Sequence, residues 1–356
     1  MNKEIIIVTV SLGNDGAERV LTLLANEFVN NYDVTVIQTK PGTYGNSYTS
    51  DERIKFLNFE YNGENSIKRY FVEIKLLRSY LKERKNAVII SFLSQSIFET
   101  VIARIGLKNK VIVSERNDPR RCPIHRSQRI IRDAVFRLAD VCVFQTEMVQ
   151  KLFPKSVQRK SVVIPNPVNP NLQEPYIGVR SHRIVTACRL HPQKNLFMLL
   201  DAFSMFCKKH PDYILDIYGK GTLEKELKDK ANKLGLSNKV VFHGFVEDIH
   251  EKIEMASMYV CSSDYEGISN SILEAMALGI PTISTDCPIG GSKLLIDQNR
   301  NGILVPVNDA NKLCEAMMKI ACDKDFADRI SANAVQVRNK YSIERIAKSW
   351  ENLFND

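Results

Sequence analysis

Residues 4–39, EIIIVTVSLGNDGAERVLTLLANEFVNNYDVTVIQT, decide the fold class. EIIIVTV is a nearly unbroken apolar run of strand length. AERVLTLLANEFVN repeats its apolar residues at helical spacing, and DVTVIQT is a second strand. Strands that lack polar alternation are buried on both faces, so a strand–helix–strand unit of this kind predicts a parallel sheet covered by helices on each side. The leading IIIVTV is too short for the apolar core of a secretion signal and reads as a buried strand.

The alternation continues. Further strands are expected at IKFLNF, AVIISFL, KVIVSE, DVCVFQT and SVVIPN, with helices at 66–85, 96–106, 126–139 and 146–153. It then breaks at IPNPVNPNLQEP, residues 164–175, where prolines and amides leave no periodic face. A second run follows: RIVTACRL, KNLFMLLDAFSMFCKKH, DYILDIYG, TLEKELKDKANKLGL, KVVFHGF, SMYVCSS, a helix from Ser269, IPTIST, GILVP and terminal helices. The expectation is two doubly wound α/β domains facing a central cleft, residues 1–168 and 181–340, joined by a linker at 169–180. Ligands would bind at the carboxyl ends of the strands.

Composition sets the class. The chain has 356 residues, 44% hydrophobic and 25% charged, which is too long for one ordinary core and suits two. No apolar run reaches the roughly 20 residues that span a bilayer. Eight cysteines stand without a CxxC or a Cys/His cluster, and a cytoplasmic chain with reduced thiols is expected. The net charge is +8, with the excess lying between Ser66 and Arg137, where 17 basic side chains face 6 acidic ones. Such a surface is either a solvated face or a partner for something anionic. No nucleic-acid motif accompanies it, so phosphate or a membrane is favoured over nucleic acid. Residues 67–82, IKRYFVEIKLLRSYLK, fit either an interfacial helix or a helix that covers a sheet.

Four segments carry candidate chemistry. VSLGNDGAERV sets Gly13 and Gly16 between a strand and a helix; without GxGxxG spacing it is no dinucleotide fingerprint, and a tight turn explains it equally. RLHPQKN places Arg189 and Lys194 at a strand's carboxyl end, where a planar fork and a mobile point charge suit a diphosphate; two surface cations are the alternative. YGKG, with Gly219, is another strand–helix junction. In SSDYEGISNSILEAMALG, Glu266 precedes a helix capped at Ser269 or Asn270, and Glu274 lies on its first turns. Both acids are placed to accept sugar hydroxyls beside a helix N-terminus that favours phosphate. Asp323-Lys324-Asp325 sits between terminal helices and reads as a helix-start charge cluster, not a metal site.

Glu266-GISNSIL-Glu274, followed by AMALGIP and STDCPIGG, resembles the retaining GT-B glycosyltransferases of family 4, especially bacterial enzymes of polysaccharide, capsule and lipid-linked oligosaccharide synthesis. RLHPQKN, YGKG, FHGFVEDI and NGILVPVND extend the resemblance along the chain. The resemblance implies that Arg189 and Lys194 hold the donor diphosphate, Glu274 the ribose and Glu266 the donor sugar. It places Gly267, Ile268, Ser269 and Asn270 beside sugar and phosphate, Val246 at the base, and Gly13 and Gly16 near phosphate and acceptor. It also implies that the last helix, about 341–354, crosses back to the N-terminal acceptor domain.

The sequence departs from the family where many relatives carry a histidine in the N-terminal domain. SERNDP stands there, leaving Glu115, Arg116 and Asn117 as acceptor-side candidates. His191 and His243 lie near the donor motifs without an assigned role. The implied reaction moves a sugar from a nucleotide diphosphate, UDP in the first instance, to a glycan or polyprenyl-diphosphate-linked glycan, without cofactor or metal. It would run on the cytoplasmic face of the plasma membrane, with an anionic membrane surface as docking partner. A sugar-nucleotide epimerase, a phosphorylase and a non-catalytic partner subunit are the alternatives on the same architecture. The two-acid spacing counts against the first two, and the intact set of cations and acids against the third.

Overall fold

A computed structural model describes residues 3–12, 16–39, 49–59 and 66–355. Gly13, the first glycine of the opening loop, lies outside the described residues. The chain divides into two compact units, Met1–Pro167 with Ile343–Asp356, and Val168–Ser342.

The first unit is built on seven strands: β1 (Glu4–Thr9), β2 (Asp33–Gln38), β3 (Lys55–Asn58), β4 (Val88–Phe92), β5 (Lys110–Glu115), β6 (Val141–Phe144) and β7 (Ser161–Val163). They lie in the order β3-β2-β1-β4-β5-β6-β7, all parallel. Ile5, Ile6, Ile7 and Val8 are at most 1% exposed, because a central strand covered on both faces has no solvent side. Helix α1 (Gly16–Phe28) turns Val20, Leu21, Leu24, Ala25 and Phe28 inward at helical spacing. Helices α2 (Ser66–Glu83), α3 (Ser94–Arg104) and α4 (Arg126–Leu138) follow. The candidate interfacial segment is α2; it buries Leu77 and Leu81, packs on α3 and leaves Phe71 exposed.

The C-terminal segment belongs to this unit. Trp350, fully buried, lies 5.5 Å from the Phe92 ring, and Phe354 stacks edge-on against Phe28 and Tyr32 at 5.2 and 5.3 Å. The Lys3 ammonium donates to the Phe354 carbonyl at 2.5 Å.

The second unit holds β8 (Ser181–Ala187), β9 (Ile214–Tyr218), β10 (Val240–Gly244), β11 (Ala256–Cys261), β12 (Thr282–Thr285) and β13 (Ile303–Val305), in the parallel order β10-β9-β8-β11-β12-β13. One face of the sheet sits on the helix Leu196–Cys207, whose Leu199, Leu200, Phe203 and Phe206 join Leu215, Ile217 and Val260 in a single core. Residues 169–180, expected as a linker, fall within this unit. Leu172 is buried, and the Gln173 side chain donates to Glu254 at 3.3 Å. Arg180 donates to the carbonyls of Glu254 and Ala256, at 2.9 and 3.1 Å. Proline removes helix and strand from this stretch, but its side chains still find partners on the unit that follows.

In each sheet the strand order reverses between two neighbours, β1 and β4 in the first unit and β8 and β11 in the second. The loops that leave two such strands part in opposite directions and open a crevice at their carboxyl ends. RLHPQKN leaves β8 and SSDYEG leaves β11, so sheet order alone brings these two segments together.

Candidate active site

The two loops are laced into one body. Ser262 Oγ donates to the Lys194 carbonyl at 2.7 Å, Asp264 N to the Gln193 carbonyl at 2.9 Å, and Gln193 Nε2 to the Tyr265 carbonyl at 2.8 Å. Pro192–Lys194 form a single 3₁₀ turn, and the His191 imidazole accepts from Gln193 N at its start. Asn195 then adopts the left-handed conformation (φ 44°) and caps the helix Leu196–Cys207 by accepting from Met198 N at 3.3 Å. Asparagine tolerates that conformation because its short amide bonds locally. Its Nδ2 reaches Asp264 at 2.6 Å, which ties the cap to the loop after β11.

The charged groups come in two pairs. Lys194 Nζ bonds directly to Glu266 Oε2, and both side chains are largely shielded from water. Burial opposes the ammonium's charge, yet the Glu266 carboxylate beside it carries its pKa above the usual lysine value. Ser263 Oγ also donates to Glu266, at 3.2 Å, and Thr285 Oγ1 holds the Ser263 carbonyl at 2.6 Å. In the second pair, the buried Glu274, on the helix Asn270–Ala277, meets His250 Nε2 at 2.9 Å. His250 comes from the short helix Ile249–Ile253 just after β10. Sequence reading missed it, because nothing local distinguishes His250 from the other histidines. Only the strand order sets it beside the acid.

Glycines allow close approach of backbones here. A Cβ on Gly219 would stand 1.9 Å from the Cys188 carbonyl oxygen, and one on Gly221 would stand 2.2 Å from that of Leu190. These residues let the chain beyond β8 keep pairing with the chain beyond β9: Cys188 N donates to Tyr218 and Leu190 N to Lys220, each at 3.0 Å. The Gly219 N–H is itself spent on the Gly244 carbonyl at 2.7 Å, so Gly219 shapes the loop of Arg189 and is not a donor to a ligand. A Cβ on Gly291 would stand 1.8 Å from the Gly267 carbonyl oxygen, so the GGS turn after β12 presses on the Glu266–Gly267 loop.

Gly267, Ile268 and Ser269 are buried, and Asn270 opens the helix. Ser269 occupies the cap position, but its hydroxyl bonds to Ser271 Oγ at 3.0 Å and caps nothing. Arg189 is exposed one residue before the buried Leu190, and Val246 is half-buried between β10 and the helix that bears His250. His243 lies apart from these groups, bonded to Asp216 at 2.6 Å and stacked on Tyr218. Asp323 accepts from Phe326 N at 2.9 Å as a helix cap.

In the first unit, Gly16 opens α1 at the exit from β1. The acceptor-side trio does not form a common face. Glu115 is buried, and its carboxylate accepts from the backbone N–H groups of Arg116 and Asn117, each at 3.0 Å. Burial, partly opposed by Arg132 and these amides, raises its pKa. Arg116 turns inward, 4.1 Å above the Phe92 ring and bonded to Asn166 at 2.9 Å. Burial lowers its pKa to about 9, so it stays charged at neutral pH. Glu115 and Arg116 therefore brace the interior, and of the three only Asn117 is exposed. The reason is cation–π and apolar packing against Phe92 and Trp350, groups that are distant in sequence.

Residues 14–172 match the family model described as Glycosyltransferase Family 4, and residues 174–337 match Glycosyl transferases group 1. A relative from Campylobacter jejuni, 27% identical over 98% of both chains, is named a GalNAc-alpha-(1->4)-GalNAc-alpha-(1->3)-diNAcBac-PP-undecaprenol alpha-1,4-N-acetyl-D-galactosaminyltransferase. Among solved structures, Anabaena HepE in complex with UDP and glucose superposes with a TM-score of 0.86 at 19% identity, over 99% of each chain. Sucrose-phosphate synthase from Thermosynechococcus elongatus does so at 0.85 and 16% identity, over 99% of this chain and 98% of that one.

Proposed function

Because the chain belongs to the GT-B glycosyltransferases of family 4, we propose that it moves a hexose or N-acetylhexosamine from a UDP-sugar to a hydroxyl of a lipid-linked glycan, with retention at the anomeric carbon. The observation that carries this reading is the pairing of Lys194 with Glu266, on the loops that leave the neighbouring strands β8 and β11, and of His250 with Glu274. A diphosphate beside Lys194 and Arg189 would have a sugar on the Glu266 side and a ribose on the Glu274 side. UDP in the HepE complex and an undecaprenyl-diphosphate glycan in the name of the Campylobacter relative support the donor and acceptor classes.

In the proposed reaction the bond from C1 to the β-phosphate oxygen breaks and a bond from C1 to the acceptor oxygen forms on the same face. The acceptor's proton passes to the departing phosphate. Lys194, Arg189 and the amides at the start of the helix Asn270–Ala277 stabilise the charge that develops on that phosphate. These cations take the place of a metal in the scheme. Glu266, held by Lys194 and Ser263, orients the sugar.

The test is calorimetric titration of UDP into Glu274→Ala and Lys194→Ala. Each should bind at least about tenfold more weakly while still unfolding cooperatively. Unchanged UDP affinity in both would remove the donor site from these residues. An inverted anomeric configuration in the product, read by NMR, would remove retention.

A further inference from the structure

Arg116 is buried at a cost that bracing alone does not explain. The residue is 8% exposed, and its Nε and Nη2 atoms have no hydrogen-bond partner among the described residues. The Glu115 charge offsets the burial of the guanidinium only in part. A buried charge with unmet donors is destabilising, and an apolar side chain of similar volume would pack on Phe92 and Trp350 as well or better. What a guanidinium adds is a bond. Its Nη1 donates to Asn166 Oδ1 at 2.9 Å, while its central carbon lies 4.1 Å from the Phe92 ring centre and 5.6 Å from that of Trp350. Asn166 and Trp350 belong to the two places where the chain passes between its units, since the first unit breaks off at Pro167 and resumes at Ile343. Asn166 stands between Pro165 and Pro167, which have no N–H to anchor the stretch, so its side chain takes that part. Gln145 Nε2 gives Asn166 Oδ1 a second donor at 2.8 Å. Trp350 is on the helix Ile343–Glu351, which opens at the other passage. Just beyond, Val168 N donates to the Tyr341 carbonyl at 2.8 Å, which bonds the two passages to each other.

We propose that Arg116 is a positioning residue for the sugar transfer: one buried guanidinium holds both passages in a single geometry on the first unit's side, and turnover depends on that geometry without Arg116 touching substrate. Donor binding in the second unit reaches the first through these passages. The planar fork suits this task, because it donates in its own plane to Asn166 while its face stacks on the two rings. For its assay the inference rests on the donor-site reading, and the measurements below separate the two.

Arg116→Met keeps a long side chain and removes the charge and the bond to Asn166. It should unfold in urea at the parent's midpoint or above. UDP affinity by calorimetry should stay within about threefold of the parent, since the donor-site residues lie in the other unit. In release of labelled sugar from a UDP-sugar that the parent turns over, kcat should fall by about tenfold or more while the donor KM moves by less than about threefold. Asn166→Ala should lose as much, and the double variant no more than either alone, because both changes remove one bond. Trp350 is the chain's one tryptophan, so its emission reports on this contact directly. That emission should change as UDP is added, with the calorimetric midpoint, and the change should be absent in Arg116→Met. Parent-like turnover in Arg116→Met, additive losses in the double variant, or a Trp350 emission indifferent to bound UDP would each overturn the inference and leave the donor site standing. So would a loss of kcat matched by an equal loss of UDP affinity. A parent that binds no UDP would remove the donor-site reading and this inference with it. Should Arg116→Met fail to fold, the Trp350 emission of the parent decides.

Discussion

Replacing Gly291 by alanine would put a methyl group 1.8 Å from the Gly267 carbonyl oxygen, 2.4 Å from its carbon and 3.0 Å from Ile268 N. Real Cβ atoms essentially never approach closer than 3.0 Å, so the backbones must separate by at least 3.0 − 1.8 = 1.2 Å. Both neighbours are main chain, and no flexible side chain is available to yield. The Glu266–Gly267 loop is tied to the strands beneath it by Ser263 and Thr285, so the shift is carried into Glu266 and its contact with Lys194. A misplacement of about 1 Å in a positioning group costs roughly a hundredfold in turnover. That equals about 2.7 kcal/mol in the activation barrier. Strain that the loop does not relieve should appear as about 1–3 kcal/mol of lost stability. The assay is transfer from, or hydrolysis of, a radiolabelled UDP-sugar, alongside thermal unfolding. Lys293→Ala, an exposed neighbour on the same turn, serves as reference and should behave as the parent. A Gly291→Ala protein that turns over within about threefold of the parent would refute the claim that this contact sets the Glu266 loop.

His250→Ala should raise the donor KM by about tenfold or more with a smaller change in kcat, and His250→Gln should recover part of the loss, since an amide can still donate to Glu274; an unchanged donor KM would show that the pair plays no part in holding the nucleotide. Trp350→Ala removes a fully buried ring packed on Phe92 and should cost about 3–5 kcal/mol in urea unfolding, whereas a loss under about 1 kcal/mol would mean the last helix does not brace the first unit. Burial raises the Glu115 pKa above its unfolded value, so its contribution is full below the ordinary carboxylate range and is lost as pH rises through the raised value. Glu115→Gln should flatten that part of the stability–pH curve, and an unaltered slope would contradict the assignment.

How much of this was legible in the sequence follows from how far apart the interacting groups stand. The strands were visible as Ile/Val runs, and the helices between them as apolar residues at helical spacing. Glu266 and Glu274 were visible as a pair because both belong to one loop and one helix. Lys194 was visible as a cation after a strand, but its bond to Glu266 joins residues 72 apart and depends on β8 lying beside β11. Glu115 and Arg116 looked like a polar loop, and only the positions of Phe92 and Trp350 reveal that they point inward.

Local patterning thus determined the layers, the two sheets and the segments at which chemistry would gather, because hydrophobic period and turn residues act over a few positions. Tertiary structure alone decided that His250 partners Glu274, that Gly291 presses on Gly267, and that Arg116 turns inward onto Phe92. Each of these depends on how elements separated along the chain pack together. That choice is made by the burial of the whole sheet, which no short window of sequence records.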